Sequence, residues 1–189
     1  MALQRMVIDG YGQVELNQVA FRRDGRIEAQ CALDATDFAD IPAENGMLLA
    51  VDNVSRTVKL PVEGENLPIA LVYTAEHIYD ERSPGLKNFK TEVDDIYPRL
   101  GYLSTGDKFV TNCIAYDSDE FTDDEALQEA VSNIATTKLY GTPSELGAIA
   151  VSATPPTDSR VALMVINGPG AGSMPDGQYA IKFQVILAV

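Results

Sequence analysis

Alternating apolar and polar positions run through most of this chain and predict a protein built mainly of β-strands. Two hairpins are expected in the first third of the sequence. Residues 19–23 and 26–33 flank Asp24-Gly25, a dipeptide that supplies the positive φ angles of a tight hairpin turn. Residues 47–51 and 57–60 have the same alternation and predict the two arms of a second hairpin.

The same pattern predicts further strands around Glu15 and Leu16 and over residues 68–73, 108–116, 147–153, 160–167 and 178–189. We expect the strand at 68–73 to be buried on both faces or to lie at a sheet edge. The last strand ends on apolar residues, which would promote aggregation if they were exposed. We therefore expect it to pair inside a sheet or against a neighbouring subunit.

One segment has the periodicity of an amphipathic helix, beginning near Asp123 and running to about Ile134. Thr122 and Glu125 have the spacing of a capping box, which predicts Thr122 as the N-cap. The apolar positions that share one helical face are Ala126, Leu127, Ala130, Val131 and Ile134. The expected fold class is therefore mostly β with one short α-helix, as a β-sandwich or barrel-like core with long loop excursions in a single domain over residues 1–189.

Residues 76–107 depart from this pattern and predict an irregular extended loop or arm. Five residues that disfavour long helices and central strands interrupt it: Pro84, Gly85, Pro98, Gly101 and Gly106. Four aromatic residues in the same segment need a surface to pack against: Tyr79, Phe89, Tyr97 and Tyr102. A core already supplied by about eight strands and a helix has little room for all four rings. We therefore expect these aromatics to contact a partner protein.

The charge of the chain excludes several classes of partner. It has 28 acidic and 14 basic residues, for a net charge of −14. The basic residues are too few for binding to nucleic acid or to an anionic membrane. Arg22, Arg23 and Arg26 are interrupted by Asp24 and are expected at the solvated tip of the first hairpin. No run approaches the roughly 18 apolar residues of a membrane span. The first residues lack the apolar run of a signal peptide, which predicts synthesis in the cytoplasm.

The residues that usually carry catalysis or metal binding are scarce, so the sequence predicts no catalytic, cofactor or metal site. His77 is the sole histidine, and Cys31 and Cys113, each inside a predicted strand, are expected to be buried free thiols. The glycine-rich residues 168–177 precede a strand and contain no lysine, so they predict a hairpin connection rather than a phosphate-binding loop. A hydrolase or lyase that uses carboxylates without a marking motif remains the alternative of another class.

Acidic residues at 117–124 gather oxygen atoms in the manner of a calcium loop. The spacing does not match an EF-hand, because Thr122 stands where that loop needs glycine and Gln128 stands where it needs an acidic ligand. An acidic loop that leads into a helix N-terminus explains the cluster without a metal. Whether it binds a cation is left open by the sequence.

Three stretches resemble small virion proteins of tailed bacteriophages: residues 7–16, which read VIDGYGQVEL, the Asp24-Gly25 hairpin, and residues 46–52, which read GMLLAVD. More narrowly, the chain resembles capsid decoration (cement) proteins. The resemblance implies a strand-rich, non-enzymatic homo-oligomer on the outer capsid surface, made in the host cytoplasm, that binds the major capsid protein and stabilises its shell. The alternative within the virion is a tail or baseplate component.

Overall fold

The computed structural model describes residues 2–23, 29–62, 64–74, 87–166 and 173–188. The protein is mostly β, with curled sheets that form half-barrels, so the predicted fold class is confirmed. Two helices are described, α1 (Ala20–Arg23) and α2 (Asp124–Ser132). The strands in chain order are β1 (Leu3–Arg5), β2 (Val14–Gln18), β3 (Ala29–Gln30), β4 (Ala32–Leu33), β5 (Ala43–Glu44), β6 (Leu48–Asp52), β7 (Thr57–Lys59), β8 (Ile69–Val72), β9 (Lys90–Thr91), β10 (Arg99–Tyr102), β11 (Lys108–Thr111), β12 (Ile114–Asp117), β13 (Tyr140–Pro143), β14 (Ile149–Ser152), β15 (Val161–Val165) and β16 (Ile181–Ala188).

The described strands form two main sheets and one small one. The larger sheet has eight strands in the order β1-β12-β14-β13-β15-β16-β11-β2, and the second has six in the order β3-β10-β8-β6-β7-β4. Strands β5 and β9 pair separately. Neighbours run antiparallel except in the pairs β12–β14 and β4–β7. This order brings segments that are distant in sequence side by side, such as β1 beside β12.

Apolar side chains from both main sheets meet in the larger core. Strand β16 shows the pattern that places them there, because Ile181, Phe183 and Val185 are buried while the residues between them are partly exposed. Phe183 lies opposite Phe109 of β11, and the ring centroids are 5.9 Å apart. The pairing of β16 with β11 and β15 confirms the expectation that this run lies inside a sheet, although Ile186 and Leu187 near its end are exposed.

The six-stranded sheet is buried on both of its faces at its centre. Leu48 of β6 belongs to the larger core, whereas its neighbour Leu49 belongs to a second core on the opposite face. Leu71 and Ala70 of β8 divide between the two cores in the same way. The strand predicted at 68–73 is therefore confirmed as one buried on both faces, between β6 and β10. The predicted hairpin of β6 and β7 is confirmed as well.

The first predicted hairpin is wrong. Residues 20–23 form α1 rather than a strand, so Arg22 and Arg23 lie on a helix and not at a hairpin tip. Strands β3 and β4 pair with β10 and β7 instead of with residues 19–23. Tertiary contacts explain the outcome, because Asp107 accepts a hydrogen bond from the Ala20 amide at 2.8 Å and Phe21 packs on Tyr73 at 4.9 Å. Residues 24–28, which include Asp24-Gly25 and Arg26, lie outside the described residues.

The strand predicted over 108–116 is two strands, β11 and β12, separated at Asn112 and Cys113. The side chain of Asn112 accepts a hydrogen bond from the Gln13 amide at 2.7 Å, and the Thr111 hydroxyl accepts one from the Cys113 amide at 3.0 Å. These side-chain bonds to the backbone, one local and one to the distant Gln13, accompany the turn of the chain between the two strands. Cys113 is therefore not inside a strand, and Cys31 likewise lies between β3 and β4.

The expectation of an irregular segment is wrong at β10, which lies inside the six-stranded sheet between β3 and β8. Gly101 is tolerated in this central strand because the ring of Phe21 occupies the space above it. A Cβ atom at position 101 would lie 2.5 Å from that ring. Strand β13 was not predicted either, and Gly141 within it is crowded in the same way by Phe183.

Helix α2 is capped one residue later than predicted. The side chain of Asp123 accepts a hydrogen bond from the Ala126 amide at 2.8 Å, so Asp123 and not Thr122 is the N-cap. The predicted apolar face is confirmed: Leu127 and Val131 are buried, and Ala126, Ala130 and Ile134 pack partly buried against the larger core.

Candidate partner-contact surface

A short turn between β9 and β10 carries the most exposed of the described aromatics predicted to contact a partner. We call residues 91–97 the 91–97 turn, and two internal hydrogen bonds close it. The Asp95 amide donates to the Glu92 carbonyl at 3.1 Å, and the buried Thr91 hydroxyl donates to the Ile96 carbonyl. Asp94 takes a positive φ of 66°, a conformation that aspartate tolerates better than most residues. The turn is therefore ordered by its own backbone.

Both ends of the turn are tied to sheets. On one side, β9 pairs with β5, with Thr91 opposite Ala43. On the other side, the Arg99 amide donates to the Thr74 hydroxyl at 2.8 Å, and the Tyr73 amide donates to the Arg99 carbonyl at 3.1 Å. The position of the turn is consequently set by the body of the protein.

Three apolar side chains are exposed on and beside this turn. Ile96 is 56% exposed and Tyr97 is 57% exposed, and the two are consecutive in sequence. Ile41 is 37% exposed and precedes β5 by two residues. Since β5 and β9 are antiparallel, the chain before β5 and the chain after β9 leave the small sheet at the same end. The surface formed by Ile41 and the 91–97 turn is the candidate partner-contact surface.

Acidic residues are close in sequence to these apolar side chains. Glu92, Asp94 and Asp95 are exposed on the turn, and Asp40 is exposed next to Ile41. Lys90 forms a salt bridge with Glu92, and its hydrogen bond to the Glu92 carboxylate raises the pKa of Lys90. Among the described residues, Asp40, Asp94 and Asp95 form no salt bridge. The surface therefore presents apolar groups within a negative field.

The four aromatics predicted as partner contacts separate into different environments. Tyr97 is exposed on the turn, whereas Phe89 is buried at 6% exposure and Tyr102 packs against the second core. The argument that the core lacks room for these rings is wrong for Phe89, which the chain covers itself, and holds only in part for Tyr102, which is partly buried. Tyr79 lies outside the described residues. Ile41 and Ile96 were missed by the sequence analysis, which considered aromatic residues alone.

A buried polar cluster joins the N-terminal segment to the small sheet. Arg5 forms a salt bridge with Glu44, whose other carboxylate oxygen accepts a hydrogen bond from the Gly12 amide. Arg5 also donates to Cys113 Sγ at 3.7 Å. Burial raises the pKa of Cys113 to about 12, so its thiol is protonated at neutral pH and is a weak nucleophile. The cluster links three segments of chain, and nothing in the sequence pattern marked it.

The acidic residues at 117–124 are used in hydrogen bonds within the protein. Asp123 caps α2, and Glu120 accepts a hydrogen bond from the Ala153 amide. Asp124 accepts from the Tyr116 hydroxyl at 2.7 Å and from the Val7 amide at 2.9 Å. Across the described ranges, no group of three or more His, Cys, Asp or Glu side chains is placed to hold a metal ion. His77 is not among the residues described.

An open groove of about 380 Å³ lies between the N-terminal segment, α2 and the turn before β16. Its lining residues are Met6, Val7, Ile8, Asp9, Gln128, Gln178 and Tyr179. Among the described lining residues Asp9 is the one carboxylic acid, and it forms a salt bridge with Lys87. Those residues alone do not present the pair of carboxylates that a glycosidase-type hydrolase needs. Gln178 closes one wall by exchanging hydrogen bonds with the backbone of Asp9.

No protein-family model, curated protein or solved structure matches this chain. None of the helices in the described part of the chain is long and apolar enough to cross a membrane.

Proposed function

We propose that this protein is a structural component of a tailed-bacteriophage virion, and specifically a capsid decoration protein. It would bind the major capsid protein from outside the shell and stabilise it. The observation that carries the proposal is an ordered, exposed apolar turn held on a rigid strand-rich body. Ile96 and Tyr97 are presented to solvent by a turn that both adjoining sheets anchor. A group held in this way can be buried against a partner at a small entropic cost.

Two of the three segments that resemble virion proteins support the proposal by their position. Residues 7–16 and 46–52 are far apart in sequence but pack together. A Cβ atom at Gly46 would lie 3.2 Å from the Gln13 carbonyl, and one at Gly12 would lie 2.4 Å from the Asn45 carbonyl. Gly12 is needed because the Asn45 backbone approaches it closely, whereas Gly46 is needed for its positive φ of 87° and because the Thr111 side chain leaves no space for a Cβ atom. Two of the three stretches that carry the resemblance therefore lie together, next to the small sheet that supports the 91–97 turn, and the third, Asp24-Gly25, lies outside the described residues.

Decoration of a shell also explains how a small contact surface in each copy is sufficient for tight binding. A homo-oligomer that presents several copies of the same surface binds a repetitive lattice far more tightly than one copy does. The net charge of −14 would keep decorated particles apart by mutual repulsion. Multivalent binding needs the partner to be an ordered array, which a capsid shell supplies.

The test is sedimentation of purified protein with capsids that lack it. The proposal predicts saturable co-sedimentation at micromolar concentration, with the protein absent from the pellet when capsids are omitted. Failure to co-sediment at that concentration would overturn it. A stained gel of intact virions separates the head from the tail: a decoration protein is present in copy numbers comparable to the major capsid protein, whereas a tail or baseplate part is present in far fewer copies.

A further inference from the structure

We infer that the candidate partner-contact surface docks into an apolar cleft whose rim carries lysine or arginine side chains on the shell protein. This inference rests on the proposed function, because it describes the receiving site of the same partner. It adds the chemistry of that site, which the proposed function leaves undefined.

The apolar part of the cleft follows from what the surface exposes. Ile96 and Tyr97 keep more than half of their surface in water, although Pro98 and Leu100 immediately after them are buried. Isolated exposed apolar residues are ordinary on protein surfaces, but Ile96 and Tyr97 are consecutive on an ordered turn, and Ile41 precedes the strand that pairs beside it. An exposed tyrosine in such a setting is a typical anchor of a protein interface.

The basic rim follows from charge. Asp94 and Asp95 lie on the turn itself, and Asp40 lies next to Ile41. Desolvating Ile96 and Tyr97 in a cleft brings these carboxylates to its edge, where a neutral or acidic rim would leave them without compensation. Cations at the rim remove that cost and steer a protein of net charge −14 towards the site. The same charge disfavours a second copy of this chain as the occupant.

Two variants test the two halves of the inference in the capsid sedimentation assay. The apolar variant carries Ile96→Ser and Tyr97→Ser. The charge variant carries Asp94→Asn and Asp95→Asn, because asparagine tolerates the positive φ of position 94. Val54→Ser is the matched control: Val54 is 97% exposed in the turn after β6, and the antiparallel order β6-β8-β10 places that turn at the opposite end of the sheet from the 91–97 turn. All variants are first checked for an unchanged melting temperature.

The apolar variant should bind capsids at least tenfold more weakly at every salt concentration. The charge variant should bind several-fold more weakly at low salt, and its affinity should change less between about 50 and 500 mM NaCl than that of the wild type, because rim charges act through a screened field. Val54→Ser should bind as the wild type does.

The outcomes separate the inference from the proposed function. If the wild type binds capsids but the apolar or charge variant binds identically, with the same salt dependence, the inference is wrong and the proposed function stands. If the wild type does not bind, both are wrong. If the variants abolish self-association of the free protein and leave capsid binding intact, the surface joins copies of this chain, and the inference is overturned.

Discussion

The hydroxyl of Thr91 donates a hydrogen bond to the backbone carbonyl of Ile96, across the turn that exposes Ile96 and Tyr97. Thr91 itself is fully buried, so an interior side chain controls the shape of an exposed loop. This contact connects the packing of the protein to the surface that we propose to bind the shell. Its removal should therefore affect binding more than folding.

Thr91→Val keeps the shape of the side chain and removes the hydroxyl. Loss of one hydrogen bond should lower the free energy of unfolding by about 1 kcal/mol. Capsid binding should weaken several-fold, because the turn then has to be ordered on association. Thr91→Ser, which retains the hydroxyl, is the control. Chemical denaturation and sedimentation measure the two effects, and equal capsid affinity for Thr91→Val and the wild type would show that the turn does not depend on this bond.

The close contact of Gly101 with Phe21 predicts a strong coupling between these positions. Gly101→Ala should destabilise the protein by about 2–3 kcal/mol, since the added methyl group overlaps a buried ring 2.5 Å away. Phe21→Leu should be destabilising alone but should recover part of the loss in the double mutant. A double-mutant cycle by urea denaturation measures the coupling. If the two substitutions lowered the free energy of unfolding additively, the methyl group at position 101 would not contact the Phe21 ring.

The N-cap of α2 can be assigned by a pair of substitutions. Asp123→Ala should cost about 1 kcal/mol, because it leaves the Ala126 amide without its partner and removes a negative charge from the helix N-terminus. Thr122→Ala should change stability little. Thermal denaturation of both variants decides between the two positions. The reverse ranking would restore the capping box that the sequence spacing suggests.

The two cysteines should differ in reactivity. Burial raises the pKa of Cys113 to about 12, so at pH 8 its thiolate is scarce and inaccessible. Burial also raises the pKa of Cys31, but its side chain is partly exposed. Iodoacetamide at pH 8 should therefore label Cys31 first and Cys113 mainly after unfolding, as read by peptide mass spectrometry. Equal labelling of both sites in the native protein would contradict the buried position of Cys113.

The sequence predicted those elements whose local pattern agrees with their tertiary setting. Strands β6, β7, β8 and β16 were found because alternation or a short apolar run matches their buried faces. The segment at 19–23 was misread because the contacts of Phe21 and Asp107 that favour a helix are distant in sequence. Strand β10 was missed because Gly101 normally argues against a central strand, and the packing of Phe21 on it is invisible to periodicity.

The candidate surface could be predicted in part. The sequence singled out Tyr97, but only tertiary packing distinguishes its exposure from the burial of Phe89 and the partial burial of Tyr102. Tyr102→Ser should accordingly lower the melting temperature, because it removes a ring that packs against the second core.

The capsid affinity of Tyr97→Ser, measured together with its melting temperature, tests most directly whether this turn attaches the protein to the shell. We predict that the melting temperature stays within about 1 °C of the wild type, because the side chain is 57% exposed, while capsid affinity falls about tenfold as an interface anchor is lost. A variant that melts normally and co-sediments with undecorated capsids as well as the wild type does would contradict the central claim that this turn attaches the protein to the shell.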